Sequence, residues 1–247
     1  MRIPPLFPCL LAVVAIASGA EDSLLHVRRA QALLGPDVWS RIIEVENDSL
    51  RSPYPARLHA LVFELADVLW FYSDVDGTQS FSLHRGRLAQ EKADFAPLLR
   101  DIEPGFTRWR VIENGPLLEE AGGGGEMLPN GCFIESVAAL RRLVEQGATV
   151  SSPGLLSYYA KSSQRPQGHT VLTYLVPGRV MVVDPLRPDT PLGFPATLAR
   201  DPKRLARAIQ GPEIDRARVL PLELPGRTAA RTFAAARAAD RGEVSLE

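Results

Sequence analysis

A chain of 247 residues, 45% hydrophobic and 23% charged with a formal net charge of −1, can bury a sizeable core, as one domain or as a core with an elaborated amino-terminal part. So even a charge balance gives no electrostatic footprint for nucleic acid. Two cysteines and four scattered histidines exclude a disulfide framework and a zinc cluster.

The chain opens MRIPPLFPCLLAVVAIASGA. Arg2 precedes an apolar run from Leu10 to Ala17, and Ser18 and Ala20 stand at small-residue cleavage positions, the pattern of a secretory signal peptide over residues 1–20. That run is shorter than the roughly 18 apolar residues a transmembrane helix needs, and no later segment approaches that length, so no stable membrane insertion is expected after cleavage. Cys9 follows Phe7 and Pro8 inside the run, without the preceding small residues of a lipid-anchor site. Cleavage after Ala20 removes Arg2 and Cys9, leaving a net charge of about −2 and Cys132 as the only thiol. In an oxidising compartment such a thiol is a nucleophile, an intermolecular partner or a small buried hydrophobe. The expected location is outside the cytoplasm, in a periplasm or beyond.

Residues 21–113 read as an amino-terminal α/β portion packed on the core. Leu24, Val27, Ala30 and Leu34 mark one helical face, ended by Gly35 and Pro36. VWSRIIEVEN and RLHALVFELADVLWFY are rich in β-branched and aromatic residues and read as strands. Asp76 and Gly77, between two apolar or alternating runs, signal a hairpin. A helix is expected from Glu91 to Asp101, with Phe95, Leu98 and Leu99 on one face and Pro104–Gly105 closing it. Residues 114–131 form a Gly-rich loop with four consecutive glycines, Gly122 to Gly125, but without the lysine or glycine spacing of a phosphate cradle. That loop delivers the chain to Cys132.

A core is expected over residues 132–225. Asn130 is a favoured N-cap, so a helix should open at Asn130 and Gly131 with Cys132 in its first turn. Phe133, Val137, Leu140 and Val144 recur on its buried face, and Gly147 supplies the left-handed stop. A short polar loop and SYYAKSSQRPQGH follow, then TVLTYLVPGRVMVVDP as a hairpin turning at Pro177 and Gly178. ATLARDPKRLARAIQG looks helical, RARVLPLEL suits an edge strand, and residues 226–247 form a helical or frayed tail.

The unpaired N–H groups and partial positive charge of a helix amino terminus favour thiolate over thiol, so Cys132 stands where a nucleophile is wanted. A thiolate needs a base, and the base an orienting acceptor. Among His26, His59, His84 and His169, only His169 has a carboxylate placed by local structure. A two-residue turn at Pro177–Gly178 sets Asp184 opposite Val171, and residues two apart along a strand share a face. His169 and Asp184 are then diagonal neighbours about 7–8 Å apart at the backbone.

GCFIESVAALRRLVEQGA, GHTVLTYL and GRVMVVDP together resemble the Cys, His, Asp core of the papain-like superfamily, in spacing most like transglutaminase-like bacterial cysteine peptidases, and the final hairpin is similar to bacteriocin-processing peptidases. The resemblance covers about a quarter of the chain. It implies an α+β fold in which the cysteine helix packs on a mostly antiparallel sheet. It also implies a Cys132 nucleophile, a His169 general base and an orienting Asp184, with no cofactor or metal. The substrate would be a peptide or protein, a cell-envelope component included, and the chemistry acyl transfer. Papain-type enzymes carry an oxyanion-hole glutamine six residues before the cysteine, where this chain has Glu126. The candidate donors are the Cys132 backbone N–H with Gln79, Trp70 or Trp109. Transglutaminase-like domains carry an aromatic shortly after the histidine, where this chain has Thr170 and Val171. Two other readings stand beside the enzyme: an inactive papain-like binding module for a peptide or envelope component, and an envelope protein using Cys132 for an intermolecular disulfide.

Overall fold

Residues 23–80, 92–112, 127–160 and 167–223 are described in a computed structural model of the chain. Residues 1–20, expected to be a signal peptide, most of the Gly-rich loop with Glu126, His84 and the tail from residue 226 lie outside the described residues. The fold is α+β, with two sheets whose paired strands are antiparallel. The chain divides into two compact units, Met1–Glu135 and Ser136–Glu247.

In the first unit, α1 spans residues 23–34, and Val27, Ala30 and Leu34 are wholly buried, as their spacing predicts. Gly35, at φ 82°, takes the left-handed conformation that ends it. Five strands follow: β1 (Ser40–Asn47), β2 (Arg57–Leu65), β3 (Val68–Ser73), β4 (Gly77–Ser80) and β5 (Phe106–Val111), in the sheet order β4-β3-β2-β1-β5. Ile43, Val45, Ala60, Val62, Leu69 and Phe71 are wholly buried, and they cluster with Phe95, Leu98 and Leu99 at α2 (Ala96–Ile102). Burying each of these side chains other than Ala60 contributes about 1.5–3 kcal/mol.

Two expectations need correction here. The run from Arg57 to Tyr72 is two strands, turned at Ala66 and Asp67 with φ values of 53° and 58°. Both residues are left-handed, as a two-residue type I′ turn demands, yet neither is the usual asparagine or glycine. The hairpin expected at Asp76–Gly77 forms and encloses three residues, with Ser73 paired to Gly77 and Gly77 left-handed at φ 78°. The helix expected over Glu91–Asp101 is interrupted at Asp94 and Phe95, and α2 starts afresh at Ala96, where Pro97, lacking an N–H, fits a first turn and the Asp94 carboxylate takes the Ala96 N–H at 2.9 Å. β5, in a stretch to which the sequence pattern assigns no element, pairs with the opposite edge of β1.

α3 (Cys132–Glu145) opens in the first unit and continues into the second. Its end is the predicted one: Gly147, at φ 74°, gives its N–H to Val144 O at 3.0 Å, and Ala148 gives its N–H to Leu143 O at 2.9 Å. The second unit's sheet runs β10-β6-β7-β8-β9. Its strands are β6 (Ser151–Ala160), β7 (Gln167–Val176), β8 (Arg179–Val183), β9 (Leu192–Pro195) and β10 (Ile214–Pro221). Leu156, Tyr158, Val171, Val180 and Val182 form a core with Leu205 and Ala206 of α4 (Pro202–Gln210). Asp201 divides the expected single helix: a 3-10 turn, Ala196–Arg200, precedes it, and its carboxylate caps the Arg204 N–H at 3.0 Å. β6 replaces an expected loop. Pro153 and Gly154 sit at a register shift in that strand, where a residue without an N–H is tolerated. β10 is an edge strand, as predicted.

Candidate functional site

The second unit holds the histidine and the aspartate. Pro177 and Gly178 form the two-residue turn, Gly178 at φ 75°, so Val176 pairs with Arg179 and Leu172 with Val183. Continued by one residue, that register sets Asp184 opposite Val171. The diagonal contact follows: His169 Nε2 lies 2.9 Å from Asp184 Oδ1, with side chains 20% and 21% exposed. The aspartate is fixed from behind, since Oδ1 accepts the Leu186 N–H at 2.9 Å and its backbone carbonyl accepts the Arg187 N–H at 2.8 Å. It is therefore both a turn former and the imidazole's acceptor.

Tyr158 stands directly across β6 from His169. Its buried ring meets the imidazole edge to face, with centroids 5.6 Å apart and planes at 79°, a preferred aromatic geometry. Carboxylate and phenol ring together restrict the imidazole to one orientation. The next residue, Thr170, shares a hydroxyl hydrogen bond with Ser157 at 2.9 Å, and its carbonyl accepts the buried Ser136 hydroxyl at 3.1 Å. Nothing in the sequence pattern marks Tyr158 or Ser136; only the β6 pairing, hidden behind Pro153, would have revealed the tyrosine.

Cys132 belongs to the first unit, half-buried on the first turn of α3. Gly131 is the capping residue, its carbonyl accepting the Glu135 N–H at 2.9 Å. Room for the turn depends on a missing side chain, because a Cβ on Gly131 would stand 2.2 Å from Leu128 Cβ. The first N–H groups of the helix thus lie at the thiol's own turn, where they favour the anion. Glu135, whose carboxylate accepts the Leu128 N–H at 3.3 Å, acts in the opposite sense on a thiolate. Phe133 anchors the turn, its ring 4.5 Å from Trp70 and 6.3 Å from Phe63.

Asn130 does not cap the helix, contrary to expectation. It is left-handed at φ 52°, and its amide donates to the carbonyls of Asp74 at 2.9 Å and Val75 at 3.2 Å. Its Nδ2 is committed to two carbonyls of the β3–β4 turn, so the side chain is held there instead of at the helix start. The preceding carbonyl, of Pro129, accepts the Tyr72 hydroxyl at 2.9 Å. Burial, reinforced by the carboxylates of Asp74 and Glu135, holds the Tyr72 phenol well above its usual range, so it remains a donor.

Of the oxyanion candidates, Trp70 is excluded because its indole N–H is already given to Leu65 O at 3.0 Å. Trp109 is partly buried against the core cluster, its ring centroid 4.8 Å from that of Phe95. Gln79 lies on β4 opposite Phe71, with its side chain outside the described residues. His59 faces Glu44 at 3.6 Å and His26 faces Asp74 at 3.2 Å. Among the described residues, no group of three His, Cys, Asp or Glu side chains converges as a metal site, and no helix is long and apolar enough to cross a membrane.

The chain matches no protein-family model, no curated protein and no solved structure.

Proposed function

We propose that the protein is an exported papain-like enzyme of thiol-dependent acyl transfer, with Cys132 as nucleophile, His169 as general base and Asp184 as the residue that orients the imidazole. The contact between His169 Nε2 and Asp184 Oδ1 at 2.9 Å carries the reading. It fixes which ring nitrogen faces the carboxylate, so Nδ1 is the atom assigned to the thiol proton. A further observation supports it: the place of Cys132 on the first turn of α3. Export rests on the leader sequence of residues 1–20.

In the proposed reaction the Cys132 thiol gives its proton to His169 and its sulfur attacks an amide or ester carbonyl. The electron pair of the C=O bond moves to oxygen, which the N–H groups of the helix start stabilise. Collapse breaks the bond to the leaving group, which takes the proton from His169, and water or an amine then releases the acyl group from sulfur. Peptides and proteins, cell-envelope components among them, are the proposed substrates.

The test is the rate of iodoacetamide alkylation of the protein against pH. An inflection near neutral pH or below, lost in His169→Ala, is the expected result. Titration of Cys132 as an ordinary thiol near 8.5, unchanged by His169→Ala, refutes the enzyme and favours the binding module.

A further inference from the structure

We propose that the β3–β4 turn is a clamp on the loop that carries the nucleophile, and that Asn130 is the positioning residue through which it acts on Cys132. The proposal rests on the reading of Cys132 as a nucleophile and deepens it.

Each residue of the short segment before Cys132 is held by its own constraint. Pro129 is held through its carbonyl by the Tyr72 hydroxyl at 2.9 Å. Asn130 gives both of its amide contacts to the turn, at 2.9 and 3.2 Å. It does so from a left-handed backbone, φ 52°, which asparagine tolerates better than most residues. Gly131 is confined by Leu128. On the other side of the contact, Gly77 brings its backbone against the loop so closely that a Cβ there would stand 2.8 Å from Asn130 O.

The turn is itself anchored at both acidic residues. The Asp74 carboxylate accepts the Ser23 hydroxyl at 3.1 Å on one oxygen and faces His26 Nδ1 at 3.2 Å on the other. The Asp76 carboxylate accepts the Tyr54 hydroxyl at 2.8 Å. An exposed amide that spans two successive carbonyls of a braced turn, two residues before a thiol, fixes where the first helical N–H groups stand relative to sulfur. Those groups act only within the first turn, so a small displacement of it changes thiolate stability.

Asn130→Gly separates positioning from folding. Glycine keeps the left-handed backbone without strain and deletes the two donated bonds, and the melting temperature reads the added chain freedom separately. The experiment measures the alkylation rate of the whole protein against pH, with melting temperature alongside, in wild type, Asn130→Gly, Gly77→Ala and His169→Ala. Asn130→Gly is expected to slow alkylation at pH 6 by about 3- to 10-fold, the loss of one or two modest hydrogen bonds, and to move the inflection toward that of an ordinary thiol. Gly77→Ala, which drives the turn off the loop, should move it the same way. A wild-type inflection retained unchanged by Asn130→Gly overturns the clamp alone, whether or not the melting temperature falls. A wild-type thiol with an ordinary titration, indifferent to His169→Ala, overturns the enzyme reading and the clamp together.

Discussion

Asp184→Asn isolates the charge at the proposed site from its geometry. The asparagine oxygen can still accept the Leu186 N–H that Asp184 accepts at 2.9 Å, so the turn after β8 is retained, and only the carboxylate's effect on His169 is lost. A hydrogen bond between charged groups contributes about 1.5–3 kcal/mol. With the two side chains 20% and 21% exposed, the lower half of that range applies, about 1.5–2 kcal/mol, since solvent screens part of the interaction. A loss of that size is about a 10- to 30-fold change in an equilibrium, at 1.36 kcal/mol for each factor of ten. The thiolate–imidazolium pair at pH 6 then falls about 10- to 30-fold in population, and the alkylation rate at that pH falls equally. At pH 10 the thiol ionises without the imidazole's help, and the variant should alkylate at the wild-type rate. A parallel loss at both pH values would point to a disturbed fold. A wild-type profile throughout would refute the assignment of Asp184.

Two further outcomes follow from the first unit. Asp67→Gly should raise the urea midpoint by the equivalent of about 0.5–1 kcal/mol, because glycine occupies the left-handed position that Asp67 holds at φ 58° at lower cost; an unchanged or lowered midpoint contradicts the turn assignment. Tyr72→Phe should cost about 1–2 kcal/mol at neutral pH, since the Pro129 carbonyl loses its donor. It should also flatten the alkaline limb of the stability curve. The folded phenol is held above its ordinary 10.0, so in wild type the stabilisation is complete below pH 10 and is lost as pH rises past it, when the unfolded phenol ionises first. Wild-type and variant curves that run parallel above pH 10, followed by circular dichroism, would show that the buried phenol contributes no such dependence.

Features set by neighbours along the chain were legible in the sequence. Gly35 and Gly147 are left-handed stops at φ 82° and 74°, and Pro177–Gly178 dictates a turn short enough to fix the register by which His169 meets Asp184. Those rules involve only a few consecutive residues. Elements decided by distant partners were not legible. β6 contains a proline and a glycine that argue locally for a loop, yet its pairing with both β7 and β10 outweighs them, and the register shift absorbs the proline. β5 is exposed at Thr107, Arg108, Arg110 and Val111, so its sequence lacks the apolar alternation of a half-buried strand, and pairing with β1 alone makes it one. The Ala66–Asp67 turn shows the same override, with strand pairing on both sides holding two residues in a conformation they would not choose.

Asn130 is the sharpest case, because two rules of similar strength applied to it. Asparagine is favoured both as an N-cap and as a left-handed turn residue, and the local sequence, with Gly131 and Cys132 following, is compatible with either. What decides between them is a pair of carbonyls 56 and 55 residues away, at Asp74 and Val75. Once those are presented by a turn that Ser23, His26 and Tyr54 brace, the amide satisfies two acceptors where capping would satisfy one donor, and Gly131 takes over the capping position at little cost. The hairpin signal at Asp76–Gly77 and the helix signal at Asn130 are therefore two halves of one arrangement. Read separately, they describe a turn and a cap; brought together by the sheet, they hold the start of the helix on which the sulfur sits.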